Sequence, residues 1–384
     1  MFNLGVIYMK KSLVALAALA ATGAFAQSSV TLYGRIDAGL FNQTRETQAA
    51  GSKVTTFDLA GAQNTKTGAR LGVTGVEDLG GGLKAGFVIE TRVNIDKSAN
   101  TAGGITQGTF GATRQANINL NGGFGTIVLG TYYNAFDDLR YAHSPNIGGL
   151  AGGDATNLSG IGAVAGATHS AISERSENGL GYSTPSFGGF KIRASVLSRK
   201  NVSSGTPAGA TAATPDATAP AGRKLNGLGI AAGYDNGPLS VLGVLGVVKA
   251  TTVPGGDQVQ KINDFGFNVK YDFGVAVPYL IFEQSKINTG TADVYTKGRN
   301  FEIGAKFPLG AFTPYVTANV AKYSTNIASA KGKSSGVQIG TNYDISKRTS
   351  AYVALGSEKT SDTTAGANNY VKKNGVALGL VHKF

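Results

Sequence analysis

Cysteine and tryptophan are absent from the 384 residues, methionine occurs twice, and only 15% of the chain is charged. Without cysteine there is no disulfide, thiolate metal site or thiol nucleophile, so stability must come from backbone hydrogen bonds and packing. Soluble domains carry about 25% charged residues, and a surface this poor in charge does not suit one. Long apolar runs are missing too: beyond the N-terminus, charges or glycines break each of them well short of the length of a transmembrane helix. His143, His169 and His382 are too dispersed for a zinc site, and no GxSxG elbow occurs. "GLGIAAG", Gly227 to Gly233, has the wrong spacing for a dinucleotide fingerprint and no helix pattern after it. No metal, cofactor or nucleic-acid partner is expected. Chemistry by Ser, Asp and His brought together in folding, with His169 and Ser170 as examples, is the residual enzymatic alternative.

Near the N-terminus Lys10 and Lys11 precede the apolar run Leu13 to Ala21, and Ala24-Phe25-Ala26 follows. This order predicts a signal peptide over residues 1–26, with Met9 as the true start, Met1 to Tyr8 as an upstream extension and 27–384 as the mature chain. Removing Lys10 and Lys11 from the 35 basic residues leaves 33 against 23 acidic ones, net +10.

What the chain has in quantity is glycine, 56 residues, and alternation. In "SSVTLYGRIDAGL" Val30, Leu32, Gly34, Ile36, Ala38 and Leu40 fall on one parity, and Thr31, Tyr33, Arg35 and Asp37 on the other. "GARLGVTGVE", "LKAGFVIETRV" and "KIRASVLS" repeat the pattern, the mark of strands with one apolar and one polar face. Sixteen such runs are predicted, near 30–40, 67–77, 82–94, 111–120, 125–133, 177–183, 190–199, 225–234, 238–249, 260–272, 275–288, 297–307, 312–324, 334–343, 349–358 and 373–384.

Tight turns such as "EDLGGG", "NGGFG", "DNGP" and "PLGAF" occupy every second connection. The others are long: 41–66, 95–110, 134–176, 200–224, 250–259, 289–296, 325–333 and 359–372. Short turns at one end and long loops at the other are the layout of a sixteen-stranded antiparallel outer-membrane β-barrel, its apolar parity toward lipid and its polar parity toward a wet interior. An even strand number brings both chain ends to the short-turn side, where first and last strands can pair. A soluble β-sandwich would need larger side chains on its apolar face than the many Ala and Gly here. Residues 203–222, rich in Ala, Thr and Pro, read as a surface loop.

"SSVTLYGRIDAGL", "EDLGGGLKAGFVIET", "GGFGTIVLG", "YSTPSFGGFKIRASV", "YDISKRTSAYV" and the terminal "GVALGLVHKF" resemble the recurring blocks of the general diffusion porins of β-proteobacterial and neisserial outer membranes. The resemblance spans the mature chain. It implies a homotrimer of barrels, each a water-filled channel for passive diffusion of small hydrophilic solutes and ions, narrowed by an inward-folded third loop; 134–176 holds that ordinal position. It also implies that the outward alternation Val376, Leu378, Leu380, His382 and Phe384 is the signal read by the barrel-assembly machinery.

A diffusion channel needs a constriction and an electric field. On the lumen parity of the first three strands stand Arg35, Arg70, Lys84 and Arg92, with Asp37 and Glu90 among them; Arg35 and Arg70 fall near mid-strand, Lys84 toward the short turn and Arg92 toward the outer rim. The third loop offers Asp137, Asp138 and Asp154, with Glu174 and Arg175 at its return. Together with the net charge this predicts a transverse field and a mild anion preference. Arg114 shares parity with Ala116, Ile118 and Leu120, which turns it toward lipid or a subunit unless a bulge intervenes. Where the family pattern commonly continues "GGFGTIVLG" with arginine and glutamine, this chain has Thr131, Tyr132 and Tyr133, so one wall arginine is missing. Two alternatives stand: a substrate-specific channel, which needs an aromatic track, and a surface barrel whose loops bind or adhere.

Overall fold

The computed structural model describes residues 29–48, 51–60, 66–95, 110–147, 150–152, 175–202, 223–252, 259–288, 294–326, 331–362 and 369–384. In chain order these form β1 (Ser29–Thr47), β2 (Ser52–Ala60), β3 (Arg70–Gly80), β4 (Leu83–Val93), β5 (Phe110–Gly122) and β6 (Gly125–Tyr133), then the helix α1 (Ala135–Tyr141). There follow β7 (Arg175–Ser183), β8 (Phe190–Val202), β9 (Arg223–Asn236), β10 (Leu239–Thr252), β11 (Val259–Tyr271) and β12 (Val277–Asn288). The last five are β13 (Tyr295–Lys306), β14 (Phe312–Thr325), β15 (Lys331–Asp344), β16 (Thr349–Asp362) and β17 (Asn369–Lys383).

From β3 onward each strand pairs antiparallel with the next, and β1 closes the sheet on β17 from Arg35↔Lys383 to Thr47↔Val371. The seventeen segments make a closed sixteen-stranded barrel because β2 and β3 share one strand position. β1 pairs with β2 along its upper half (Gly39↔Ala60 to Thr47↔Ser52) and with β3 along its lower half (Ser29↔Val76 to Arg35↔Arg70). The long first loop expected over 41–66 is therefore corrected: β1 runs on to Thr47, and 52–60 returns as a strand paired with it. The polar, threonine-rich composition of 41–57 hid this, because high on the barrel both strand faces are wet and the alternation fades. The chain leaves the wall between β2 and β3, and Lys66 to Gly68 stand inside it.

The outward parity is apolar as predicted. Val30, Leu32, Ile89, Ile118, Ile192, Ile303, Val337 and Leu355 are exposed on it, which suits lipid. Aromatic pairs mark the short-turn rim, with ring centroids 4.5 Å apart in Phe190–Tyr234, Tyr271–Phe273 and Phe312–Tyr343. Leu378, Leu380, His382 and Phe384 alternate on the same outer face, and the Phe384 ring lies over Gly34, where a Cβ would meet it at 2.6 Å.

The interior departs from the wet wall in two apolar patches, both made by the chain after β6. Phe136 and Leu139 of α1 are buried against Ala231, Leu242, Val244, Val248, Ile262 and Ile287 on β9 to β12. Ile147 and Leu150 are buried against Phe41, Tyr315, Tyr352, Ala354, Ala377 and Val381 on β1, β14, β16 and β17. A seven-residue helix is too short to persist alone, so α1 depends on this packing. Residues 134–147 and 150–152 thus lie along the inner wall between β6 and β1, as expected of the third loop. Among the described residues, the part of the loop after β6 does not pack on the inner wall formed by β3, β4, β5 and the lower part of β1.

Candidate functional site

The covered side is fastened by polar contacts as well as apolar ones. Asn134 caps α1 by accepting from the Phe136 N–H at 2.9 Å. Asn268 Nδ2 on β11 donates to the Asp138 and Leu139 carbonyls at 3.0 Å each. Arg140 is buried in a two-point ion pair with Glu283 on β12, Nε to Oε2 at 3.2 Å and the second contact through Oε1. Farther along, Gln338 on β15 takes the Ile147 N–H at 2.8 Å, Gln43 on β1 takes that of Ala151 at 3.0 Å, and Glu358 on β16 that of Gly152 at 3.2 Å. The loop backbone can press this close because the wall offers glycine: a Cβ on Gly356 would sit 1.9 Å from the Ala151 carbonyl oxygen.

On the side of β1, β3 and β4 the register sets three arginines in one row. Arg35 on β1 lies directly opposite Arg70 on β3, which lies directly opposite Arg92 on β4. Arg92, expected nearer the outer rim, is therefore level with the other two. Lys84 is not: it pairs with Asp78 beside the β3–β4 turn and is exposed at the short-turn rim. Like charges directly opposite across strands destabilise a sheet, so the row needs neighbours that relieve it.

Glu90 is the first of these. Its carboxylate, 3% exposed, lies 3.5 Å from Arg70 Nη1 and 2.8 Å from Arg114 Nε, and accepts from the hydroxyls of Tyr33 at 3.1 Å and Tyr133 at 3.4 Å. Arg114 is thus in the lumen, correcting the parity reading. Gln115 pairs with Glu90 and Thr113 with Thr91, leaving Arg114 as the extra residue of a bulge that flips its side chain inward. Tyr133 bonds Arg114 through its hydroxyl, and the guanidiniums of Arg114 and Arg175 lie 5.6 and 5.7 Å from its ring centroid.

Asp37 is corrected as well. It is a fully buried anchor and not a charge on the channel surface. It accepts from Thr67 N–H at 2.6 Å, Thr67 Oγ1 at 2.7 Å and Tyr352 OH at 3.2 Å. The Thr67 carbonyl in turn accepts from Arg35 at 2.6 Å and Arg70 at 3.0 Å, and Gly68 O from Arg35 Nε at 3.1 Å. The inward segment 66–69 therefore holds both guanidiniums by neutral carbonyls, which fixes their direction while leaving their charge.

Of the loop acids, Asp137 is within electrostatic reach of Arg70. Asp138 instead pairs locally with Arg193 on β8, so it does not oppose the arginine row. Asp154 and Glu174 lie outside the described residues, as do residues 1–26 and 203–222. The sequence reading missed Arg140, Glu283 and Thr67, and gave Tyr133 no role beyond marking the missing arginine. The loss of alternation in "LSVLGVLGVV" on β10, apolar on both faces, was the available sign that something docks on the inner wall there.

Lys66 adds a titratable charge. It lies off the spanning strands and donates through Nζ to Asn342 Oδ1. Burial pushes its amine down to about 8, against the opposing pull of Asp344 and Asp37 and with smaller help from Lys306 and Lys383. The amine is therefore mostly charged at pH 7 and mostly neutral at pH 9. Any anion preference of the lumen is expected to fall as pH rises through this window, and Lys66→Met to flatten that dependence in reversal potentials measured from pH 6.5 to 9.5.

The geometry is that of a channel: a closed barrel, an apolar outer band, an inward loop against one wall and a cationic strip on the other. A model of the Gram-negative porin family matches residues 12–363. Outer membrane porin protein 32 of Delftia acidovorans is 33% identical over 289 residues, 72% of this chain and 70% of that protein. Major outer membrane protein P.IB of Neisseria gonorrhoeae is 34% identical over 185 residues, 47% of this chain and 46% of that one. Among solved structures, the anion-selective porin from Comamonas acidovorans superposes with a TM-score of 0.67 at 25% identity, covering 93% of this chain and 100% of that one. OmpT of Vibrio cholerae, at 14% identity and a TM-score of 0.63 over 93% and 98% of the two chains, shares the fold. The barrel, the inward loop and the matched sequence agree, and the chain belongs to the Gram-negative porin family, a channel of the outer membrane for passive diffusion of small hydrophilic solutes.

Proposed function

We propose that this channel prefers small anions, and that Arg35, Arg70, Arg92 and Arg114 on the wall facing Asp137 on the loop are the groups that set the preference. The observation that carries it is the row Arg35–Arg70–Arg92, cations placed side by side on three strand positions at a cost to the sheet. In a narrow, low-dielectric passage such charges focus their field on the permeating ion. The anion-selective porin of Comamonas acidovorans, similar in fold and sequence, supports the same reading. Export by residues 1–26, recognition of Leu380, His382 and Phe384 by the assembly machinery and association of three copies belong to this proposal too. Small outward residues on β1 and β4, such as Ala38 and Ala85, suit the close approach of a neighbouring copy.

The test is the reversal potential in a planar bilayer under a KCl gradient. The wild type should move toward the chloride equilibrium value. Arg35→Ala and Arg70→Ala should each lower the chloride-to-potassium permeability ratio about tenfold, because one unit charge some 6 Å away in water acts about threefold on each ion and with opposite sign on the two. A wild-type potential on the potassium side would overturn the proposal.

A further inference from the structure

The outer face carries a charge pattern that diffusion through the lumen does not use. Along the long-loop end of β10 to β17, outward positions just above the apolar band are basic: Lys249, Lys261, Lys286, Lys297, Arg299, Lys322, Lys333, Lys359 and Lys372. Five pairs of them are directly opposite across neighbouring strands: Lys249↔Lys261, Lys286↔Lys297, Arg299↔Lys322, Lys322↔Lys333 and Lys359↔Lys372. Each juxtaposition repels. Some of the cations are sheltered, Lys286 by the Tyr295 ring at 4.5 Å, Lys359 and Lys372 by that of Tyr370 at 4.9 Å, and Arg299 by Gln284 Oε1 at 3.0 Å. Among the described residues, no carboxylate pairs with Lys297, Lys322 or Lys333.

The height of the belt matches a membrane boundary. On β14 the outward positions run from Phe312 at the short-turn rim through Val316, Ala318 and Val320 to Lys322. Those ten steps, at about 3.3 Å each and a tilt near 45°, rise about 23 Å, close to the apolar band of about 25 Å in such barrels. The cations thus stand at headgroup level on the leaflet facing the long loops, with exposed Phe301, Ile303, Val337 and Ile339 below them for acyl chains. An open groove of about 490 Å³ among Lys297, Arg299, Lys322, Lys331 and Lys333 has the size of a small-molecule site. Among the described residues of β1 to β6 the belt does not continue. On β1 and β2 the outward charges at this level are Glu46 and Lys53, directly opposite each other, and on β4 to β6 the described outward positions are Val93, Phe110 and Thr131.

The geometry points to a binding surface on β12 to β16 for phosphorylated lipid headgroups of the outer leaflet, centred on Arg299, Lys322 and Lys333. Phosphate oxygens bridging the opposed cations would turn a repulsive row into an attractive one, and the acyl chains would continue down the apolar face. The cation-poor sector of β1 to β6 is then the side left for protein neighbours.

Native mass spectrometry of the folded barrel, titrated with lipid A (a bisphosphorylated, acylated glucosamine disaccharide), tests this. The wild type should hold that lipid, bind the same lipid stripped of both phosphates far more weakly, and bind inorganic phosphate more weakly still. Lys322→Gln/Lys333→Gln should weaken retention about 25-fold, from roughly fivefold per lysine at an anionic surface. Lys347→Gln/Arg348→Gln, with the same charge change in the exposed turn at the opposite rim, should bind as the wild type does. Equal affinity for the dephosphorylated lipid would assign binding to the apolar face alone. Equal affinity for inorganic phosphate would make this a free-anion site. Unchanged retention in the Lys322/Lys333 variant would place the contact elsewhere. Each of these results overturns the proposal, and the comparison of the two lipids on the wild type decides it even if the double variant fails to fold.

Discussion

Arg140→Ala is expected to release the inward loop: single-channel records should lose their steady level, mean conductance should rise, and the thermal midpoint should fall. The reason is the company Arg140 keeps. Its guanidinium, 4% exposed, meets Glu283 at two points, and Asp264 on β11 is also buried within its electrostatic reach. Removing the cation leaves two buried carboxylates with no compensating charge, and breaking a buried pair in this way costs about 3–5 kcal/mol. That is about as much as the burial of Phe136 and Leu139 together contributes, at about 1.5–3 kcal/mol each, so it cancels most of what holds α1 to the wall. The α1 end of the loop should detach while the end held by Gln338, Gln43 and Glu358 stays. Replacing both partners, Arg140→Met/Glu283→Met, should recover part of the stability because no unpaired charge of that pair remains. Planar-bilayer recordings with thermal unfolding of the same preparations check this; a wild-type conductance level and midpoint in Arg140→Ala would show that the pair does not hold the loop.

How far the sequence revealed such details depended on whether a residue followed the strand period. Arg35, Arg70 and Glu90 sit on regular strands, and their parity alone placed them in the lumen. Their level on the wall did not follow from parity: Arg92 aligns with Arg70 only because of how β3 and β4 slide past each other, which the turn at Gly81 sets and alternation cannot report. Arg114 was misplaced because one extra residue opposite Glu90 inverts the parity at that point. The first long connection dissolved into strand because its polar residues carry no apolar face to signal it. Arg140 and Glu283, 143 residues apart, meet only through the path of the loop, and no local pattern announces such a contact.

Asp37→Ala is expected to produce two changes of opposite value: lower stability and stronger anion preference. Asp37 is the one acceptor for three donors, the Thr67 N–H, the Thr67 hydroxyl and the Tyr352 hydroxyl, all in a fully buried place. Hydrogen bonds to a charged group are each worth about 1.5–3 kcal/mol, so losing the set should cost on the order of 3–5 kcal/mol once the donors have found partial substitutes. The segment at Thr67 then loses its carboxylate tie to β1 and is held there only by the Arg35 contacts to its carbonyls, so the Thr67 carbonyl, the acceptor shared by Arg35 and Arg70, shifts outward. Both guanidiniums turn toward the lumen, and one negative charge has gone from their neighbourhood. The reversal potential should therefore move closer to the chloride equilibrium value, the reverse of the shift expected for Arg35→Ala, while the unfolding midpoint drops. Asp37→Asn, which keeps one oxygen acceptor, should show the selectivity change with a smaller loss of stability. The two readouts must be taken together: a fall in stability with unchanged selectivity would mean that the 66–69 segment is a structural plug alone, and that the direction of Arg35 and Arg70 is set by their own strands.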